Sequence, residues 1–250
     1  MGEKPGFLLS AYLWRHLLLL RDLVRWPEWY NSKLPVFLVG VFYAVLRLDA
    51  PGGAQAVAMA ALLVLFCLYA AFGHIVNDYA DREVDRIARK NRILLHWSEP
   101  AALSAVAIPA AGTVGLAVVF FDGYTSALAI LAVLLAALYS LPPVRLKERG
   151  IFGWIGAVAT QRTLPVVIGI QAFEAWDAAA VLLCVLNTLI GLRFIILHQI
   201  DDRENDRRAG VRTVATEQSL DRVIGQLYGL FRSEEHTSEL QSLAYLVCRL

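Results

Sequence analysis

The sequence is poor in the residues that build metal centres and disulfide frameworks. Its three cysteines, Cys67, Cys184 and Cys248, show no C-x-x-C spacing, and two lie inside apolar runs. They read as small hydrophobes, which excludes a cysteine-based metal site or a disulfide scaffold. Charge is scarce too, at 18% of residues, against about 25% in soluble domains. The net charge of +1 says little, because the charges are clustered rather than spread. No internal repeat and no soluble domain stand out. The apolar stretch 7–20 is broken by Arg15 and His16, and no small-residue cleavage site follows, so no signal peptide is expected.

Apolar residues are what the sequence has: 58% of the chain, with a mean hydropathy of +0.54. This displaces it toward membrane proteins. Crossing a bilayer takes about 20 apolar residues. Candidate spans recur at 33–49, 54–76, 101–121, 124–141, 151–173 and 177–200, and a seventh begins near 219. The loops 79–100, 142–150 and 201–218 are rich in arginine and lysine, whereas those near 50–53, 122–123 and 174–177 are acidic or uncharged. The positive-inside rule therefore puts the three basic loops and the N-terminus on the cytoplasmic side. Residues 1–32 read as an N-terminal interfacial segment, with Arg15, Arg21 and Arg25 among leucines and tryptophans. Trp14, Trp26 and Trp29 fit an interfacial aromatic belt. From Arg232 the text RSEEHTSELQS is polar and aperiodic, and it matches one reading frame of a common sequencing adapter. Residues 232–250 are thus expected to be foreign, with the native sequence departing after Phe231.

Two carboxylate clusters stand at helix ends on the same side. The first is Asn77-Asp78-Tyr79-Ala80-Asp81-Arg82-Glu83-Val84-Asp85. In a continuing helix, Asn77, Asp81 and Asp85 recur at i, i+4 and i+8 and share a face. The second is Asp201-Asp202-Arg203-Glu204-Asn205-Asp206, with Asp202 and Asp206 again four apart. Stacked carboxylates repel one another, and a hard divalent cation such as magnesium, which prefers oxygen donors, relieves this. Interleaved arginines suit the remaining charge of a diphosphate. Solvated loop charges explain either cluster alone about as well; two clusters of like spacing on one side favour a site.

Three motifs resemble the UbiA superfamily of intramembrane prenyltransferases. NDYADREVD resembles its NDxxDxxxD motif, and DRENDRRAGVRT its DxxxD motif followed by Gly and Thr. Tyr139-Ser140-Leu141-Pro142-Pro143-Val144-Arg145-Leu146-Lys147 is similar to its YSxPPxRLK segment. The resemblance covers residue 33 to about 231. It departs at Lys90-Asn91-Arg92-Ile93, where the family often has a Lys-Pro-x-Arg-Pro run.

The resemblance implies an all-α, polytopic membrane helix bundle, with nine crossings in the full fold and about seven here. It implies magnesium-dependent transfer of a prenyl group from a prenyl diphosphate to an aromatic or other lipophilic acceptor. Asn77, Asp81, Asp85, Asp202 and Asp206 would hold the metal. Arg145 and Lys147 would steady the leaving diphosphate, and Tyr139 would hydrogen-bond it or line the pocket. Arg162, in the middle of a span, should face a polar cavity and contact an anionic acceptor or the diphosphate. Arg193 is explained by snorkelling. His74 and His198 read as supporting or packing residues. Two other readings stand beside this one: phosphoribosyl-type transfer to a polyprenyl phosphate within the same superfamily, and a multi-span anion transporter. The expected setting is the cytoplasmic membrane of a prokaryote, with the motif loops inside, a bilayer as partner and no nucleic acid.

Overall fold

The computed structural model describes residues 5–48, 52–208, 210, 213–219, 221–223 and 225. The helices in chain order are α1 (Pro5–Leu23), α2 (Trp26–Trp29), α3 (Leu34–Val45), α4 (Gly53–Ala80), α5 (Arg82–Ile87), α6 (Glu99–Phe120) and α7 (Gly123–Ser140). There follow α8 (Ile151–Val158), α9 (Leu164–Gln171), α10 (Ala178–Asp201), α11 (Arg203–Arg208) and α12 (Val214–Glu217). No strand occurs among the described residues.

Helix α4 is the spine, packed on α6 and α7; α3 packs on α9, and α10 packs on α8 and the turn that follows it. At 1.5 Å per residue, the 28 residues of α4 reach about 42 Å, longer than the roughly 30 Å hydrocarbon layer. Five helical stretches are long and apolar enough to cross a membrane: 53–80, 99–120, 123–140, 151–171 and 178–201. These coincide with five of the expected spans. The remaining described one, expected over 33–49, is a 12-residue helix, reaching only about 18 Å. The seventh span and the tail at 232–250 lie outside or almost wholly outside the described residues.

Local chemistry sets the ends. The Asp122 carboxylate accepts from the Thr125 amide at 2.9 Å and so starts α7; that of Asp177 accepts from Ala180 at 2.8 Å and starts α10. Each satisfies an amide that the first helical turn would otherwise leave unpaired. Between α8 and α9 the chain makes one π-helical turn, Ala159–Thr163. Two of its carbonyls are taken by side chains: the Tyr69 hydroxyl donates to Thr160 at 2.7 Å, and the Asn187 amide to Arg162 at 2.8 Å. Such turns bulge a residue out of register and occur often at functional sites.

The main core gathers Trp29, Phe37, Phe66, Leu62, Leu65 and Tyr69. Phe37 stacks on Phe66 at 4.4 Å and Trp29 meets the same ring edge-on at 6.0 Å. This corrects the interfacial reading of Trp29: it is 1% exposed and its indole donates to the Val24 carbonyl at 2.9 Å. Leu23 and Val24 likewise pack against the Ile75–Leu94 cluster. The residues from Leu23 to Lys33 are therefore part of the bundle, because their aromatics find a core partner that periodicity alone does not reveal. Trp14 and Leu17–Leu20 remain exposed, as an apolar helix against lipid would be. So do Ile108, Val118 and Val119 of α6 and Val181, Val185 and Leu189 of α10.

Candidate active site

The loops that carry the motifs meet at one end of the bundle. Helix α4 stops at Ala80; Asp81 caps it with φ −98° and ψ 6°, and α5 begins at Arg82. The single helical face expected for Asn77, Asp81 and Asp85 is therefore broken at its middle residue. Asn77 and Asp81 stay together. The Lys147 ammonium donates to Asn77 Oδ1 at 2.9 Å and to the two Asp81 oxygens at 2.7 and 2.6 Å, and Arg145 donates to Asp81 at 2.9 Å. Arg145 also pairs with Glu148 at 2.6 Å. Burial pulls the Lys147 ammonium below the ordinary lysine value, and the charge of Asp81 only partly offsets it.

Asp85 turns the other way. It is 3% exposed and pairs with Lys90 at 3.0 Å and with Arg92 at 3.9 Å. Asp78, also buried, takes Arg25 at 3.0 Å and lies 3.8 Å from Arg92. Arg25 simultaneously grips Glu28 through its guanidinium. Both Arg25 and Arg145 have left-handed backbones, φ 53° and 39°, a conformation that costs a non-glycine residue about 1 kcal/mol or more. Such strain persists where the surroundings demand it. Here it aims one guanidinium at Asp78 and the other at Asp81.

The second motif lies close by on α10 and α11. Asp202 caps α10 and pairs with His198 of the preceding turn at 3.3 Å. Burial first, then the adjacent charge of Asp202, pushes the Asp206 carboxyl above its ordinary value, while His198 and Lys90 oppose this. The charge of Lys90, which pairs with Asp85, thus reaches the second motif. Arg203 spends its guanidinium on the Ala215 and Gln218 carbonyls, at 2.6 and 3.1 Å, and so tethers α12. Among the described residues no three His, Cys, Asp or Glu side chains converge into a metal-ready group.

Below the motif loops opens a cavity of about 500 Å³ lined by residues of α2, α4, α7, the π-helical turn and α10. Asn77 and Tyr139 face it, as do Arg162, His74 and His198. Arg162 is anchored by the Ser32 carbonyl at 2.8 Å and lies 5.3 Å from the Phe194 ring centre, a cation–π distance. Its stem fits because residue 191 is glycine: a Cβ there would come within 2.8 Å of Arg162 Cγ. The expectation that this intramembrane arginine faces a cavity holds. Arg25, Glu28 and Lys33 also line it. Reading 1–32 as an interfacial segment misses Arg25 and Glu28, and the span expected over 33–49 takes in Lys33 without marking it; the text WPEWYNSKLP, with a cation, an acid and aromatics of which Trp29 is buried, was the signal.

A sequence model of the UbiA prenyltransferase family matches residues 34–230, most of the chain. The chain belongs to the UbiA prenyltransferase family. This UbiA chain is 29% identical over 147 residues to chloroplastic chlorophyll synthase of Arabidopsis thaliana, covering 56% of this chain and 38% of that one. It is 27% identical over 147 residues to the chlorophyll synthase of Avena sativa, covering 39% of it. The chain thus spans less than two fifths of the length of the curated relatives it matches. Its fold resembles a UbiA homolog from Archaeoglobus fulgidus bound to DMAPP and Mg2+, with TM-score 0.74, 17% identity, and 91% and 82% of the two chains covered. The same homolog bound to GPP and Mg2+ gives TM-score 0.71 at 19% identity, over 84% and 73%. The all-helical fold is shared by this chain and the A. fulgidus homolog.

Proposed function

We propose that this UbiA-family protein transfers a prenyl group from a prenyl diphosphate to an aromatic or other lipophilic acceptor, with magnesium as cofactor. The observation that carries it is the convergence of Asn77, Asp81, Arg145 and Lys147 on one point at the edge of a membrane-embedded cavity. The A. fulgidus homolog that shares the fold binds DMAPP or GPP with Mg2+, which supports a prenyl diphosphate as donor.

The residues fit magnesium by donor chemistry. Asn77 Oδ1 and both Asp81 oxygens already share one cation, the Lys147 ammonium, and all are hard oxygen donors. Asp202 and Asp206 offer two more, in an arrangement where the raised Asp206 carboxyl would be relieved by a cation. Asp85, expected among the metal ligands, is instead taken up by Lys90 and Arg92 on the other side of the α4 end. Bound magnesium would neutralise the diphosphate as the C1–O bond breaks. Arg145 and Lys147 add positive charge where negative charge develops on the leaving oxygen. Tyr139 lines the same cavity, where it would hydrogen-bond the diphosphate or border the prenyl group. Arg162 supplies a cation at the floor. The basic loops at this end favour its placement on the cytoplasmic side of a prokaryotic membrane.

The test uses the native full-length protein in detergent with Mg2+, geranyl diphosphate and a panel of phenolic and carboxylate acceptors, reading prenylated product. The double change Asp81→Ala, Asp202→Ala should abolish Mg2+-dependent product. Turnover only with a phosphoribosyl diphosphate donor would sink prenyl donation, and anion transport into vesicles without turnover would make the protein a carrier.

A further inference from the structure

Lys33 is a half-buried cation that the proposed chemistry leaves unused. It immediately precedes α3, outside the membrane-length helices, and lines the cavity. Among the described residues its ammonium has one hydrogen-bond partner, His74 Nε2, 3.2 Å away on α4. The charged groups facing it are Arg25 from the turn before α2, Glu28 of α2 and Arg162 of the π-helical turn. Arg92 adds a further positive charge near His74. Glu28, the lone acid among these, is already committed to Arg25. Among the described residues Lys33 thus sits with like charges and no carboxylate of its own, which favours the neutral amine. Burial, then Arg25 and Arg162, bring it down to about 8, against the opposing charge of Glu28.

We propose that Lys33 is the base that takes the acceptor's proton during prenyl transfer, and that His74 positions its amine. This rests on the prenyl-transfer reading. The acceptor's electron pair forms the bond to prenyl C1, and the C1–O pair leaves with the diphosphate. The acceptor's X–H bond gives its electrons back to X, and the proton goes to the Lys33 Nζ lone pair. The ammonium then releases it to water. A neutral amine keeps two N–H groups and one lone pair. With the His74 proton on Nδ1, one N–H donates to Nε2 and the lone pair is left for the acceptor. The bond survives protonation, since an ammonium donates too. Neutral lysines tuned by burial serve as bases in this way.

The experiment compares Lys33→Arg, Lys33→Met, His74→Gln and His74→Leu in the native full-length protein. It uses geranyl diphosphate and whichever panel acceptor supports turnover. Wild-type kcat should rise with pH through about 8. Lys33→Arg keeps the charge but holds its proton, so kcat should fall at least tenfold and the rising limb should vanish, with KM for geranyl diphosphate within threefold. Lys33→Met should fall similarly. His74→Gln, which keeps an acceptor oxygen, should retain more kcat than His74→Leu. Independently of turnover, acetic anhydride labelling of Lys33 followed by mass spectrometry should be half-maximal near pH 8. Lys33→Arg with wild-type kcat and an intact rising limb would overturn the assignment, as would a labelling midpoint near the ordinary lysine value. If no acceptor gives product, the transfer reading itself fails, and the labelling midpoint still reports on Lys33.

Discussion

Nine consecutive residues, Asn77 to Asp85, feed two clusters of opposite character. Asn77 and Asp81 face the cavity side and share Lys147 and Arg145, two cations brought from the loop after α7. Asp78 and Asp85 face the N-terminal side and are locked by Arg25, Lys90 and Arg92. Asp81 keeps about a fifth of its side chain exposed, whereas Asp78 and Asp85 are at 8% and 4%. A partly open carboxylate can exchange a lysine for a metal or a diphosphate-bound cation. A closed one is committed, because opening it strands a charge in a medium that solvates it poorly. The break at Asp81 is what separates the two groups.

The largest effect should come from Asp81→Asn. Turnover should drop on the order of 100-fold or more, as for loss of a group that acts on transition-state charge. Thermal stability in detergent should change little, since Asn77 and the substituted carboxamide still offer Lys147 oxygens. Asp78→Asn should do the reverse. Removing one partner of a buried pair costs about 3 kcal/mol, so the melting temperature should fall by roughly 6–12 °C while turnover per folded molecule is largely kept. If Asp78→Asn stops turnover at unchanged stability, the division between the clusters is wrong. Gly191→Ala extends the comparison to the cavity floor. The new methyl meets Arg162 Cγ at 2.8 Å, an overpacking of roughly 1–3 kcal/mol. Arg162 should shift off Ser32, raising KM for the acceptor more than it lowers kcat for the donor half-reaction.

The spans were legible because a lipid-facing helix must be apolar over a fixed length, and that writes itself into composition. Five of the six expected within the described chain lie within a few residues of the helices observed. The motif residues were legible as a set for another reason: hard oxygen donors four apart at helix ends have few structural uses. Their partition was not legible. Spacing placed Asp85 with Asp81, but the cation that Asp81 takes, Lys147, is 66 residues away. The left-handed turns at Arg25 and Arg145 carry no glycine to announce them. Trp29 looked interfacial because a short aromatic, basic segment reads the same whether it meets headgroups or a core. Only the Phe66 ring on α4 decides between them.

The smallest effect probes the N-terminal side of the comparison, at Glu28. Burial alone would push its carboxyl up. The bond and charge of Arg25, with Arg92 and Lys33, outweigh this and hold it below the ordinary glutamate value. A depressed carboxylate stabilises the fold above its unfolded value, and that contribution is lost as pH falls through the folded one. The side chain is 45% exposed, so solvent screening leaves under about 1 kcal/mol. Glu28→Gln should therefore lower the melting temperature by roughly 1–3 °C at pH 7. The deficit should shrink as the pH drops below the ordinary glutamate range, where wild type and variant are both neutral at this position. A deficit that persists in acid would mean that Glu28 acts by packing under Arg25 rather than by charge, and the locked cluster would then rest on Asp78 and Asp85 alone.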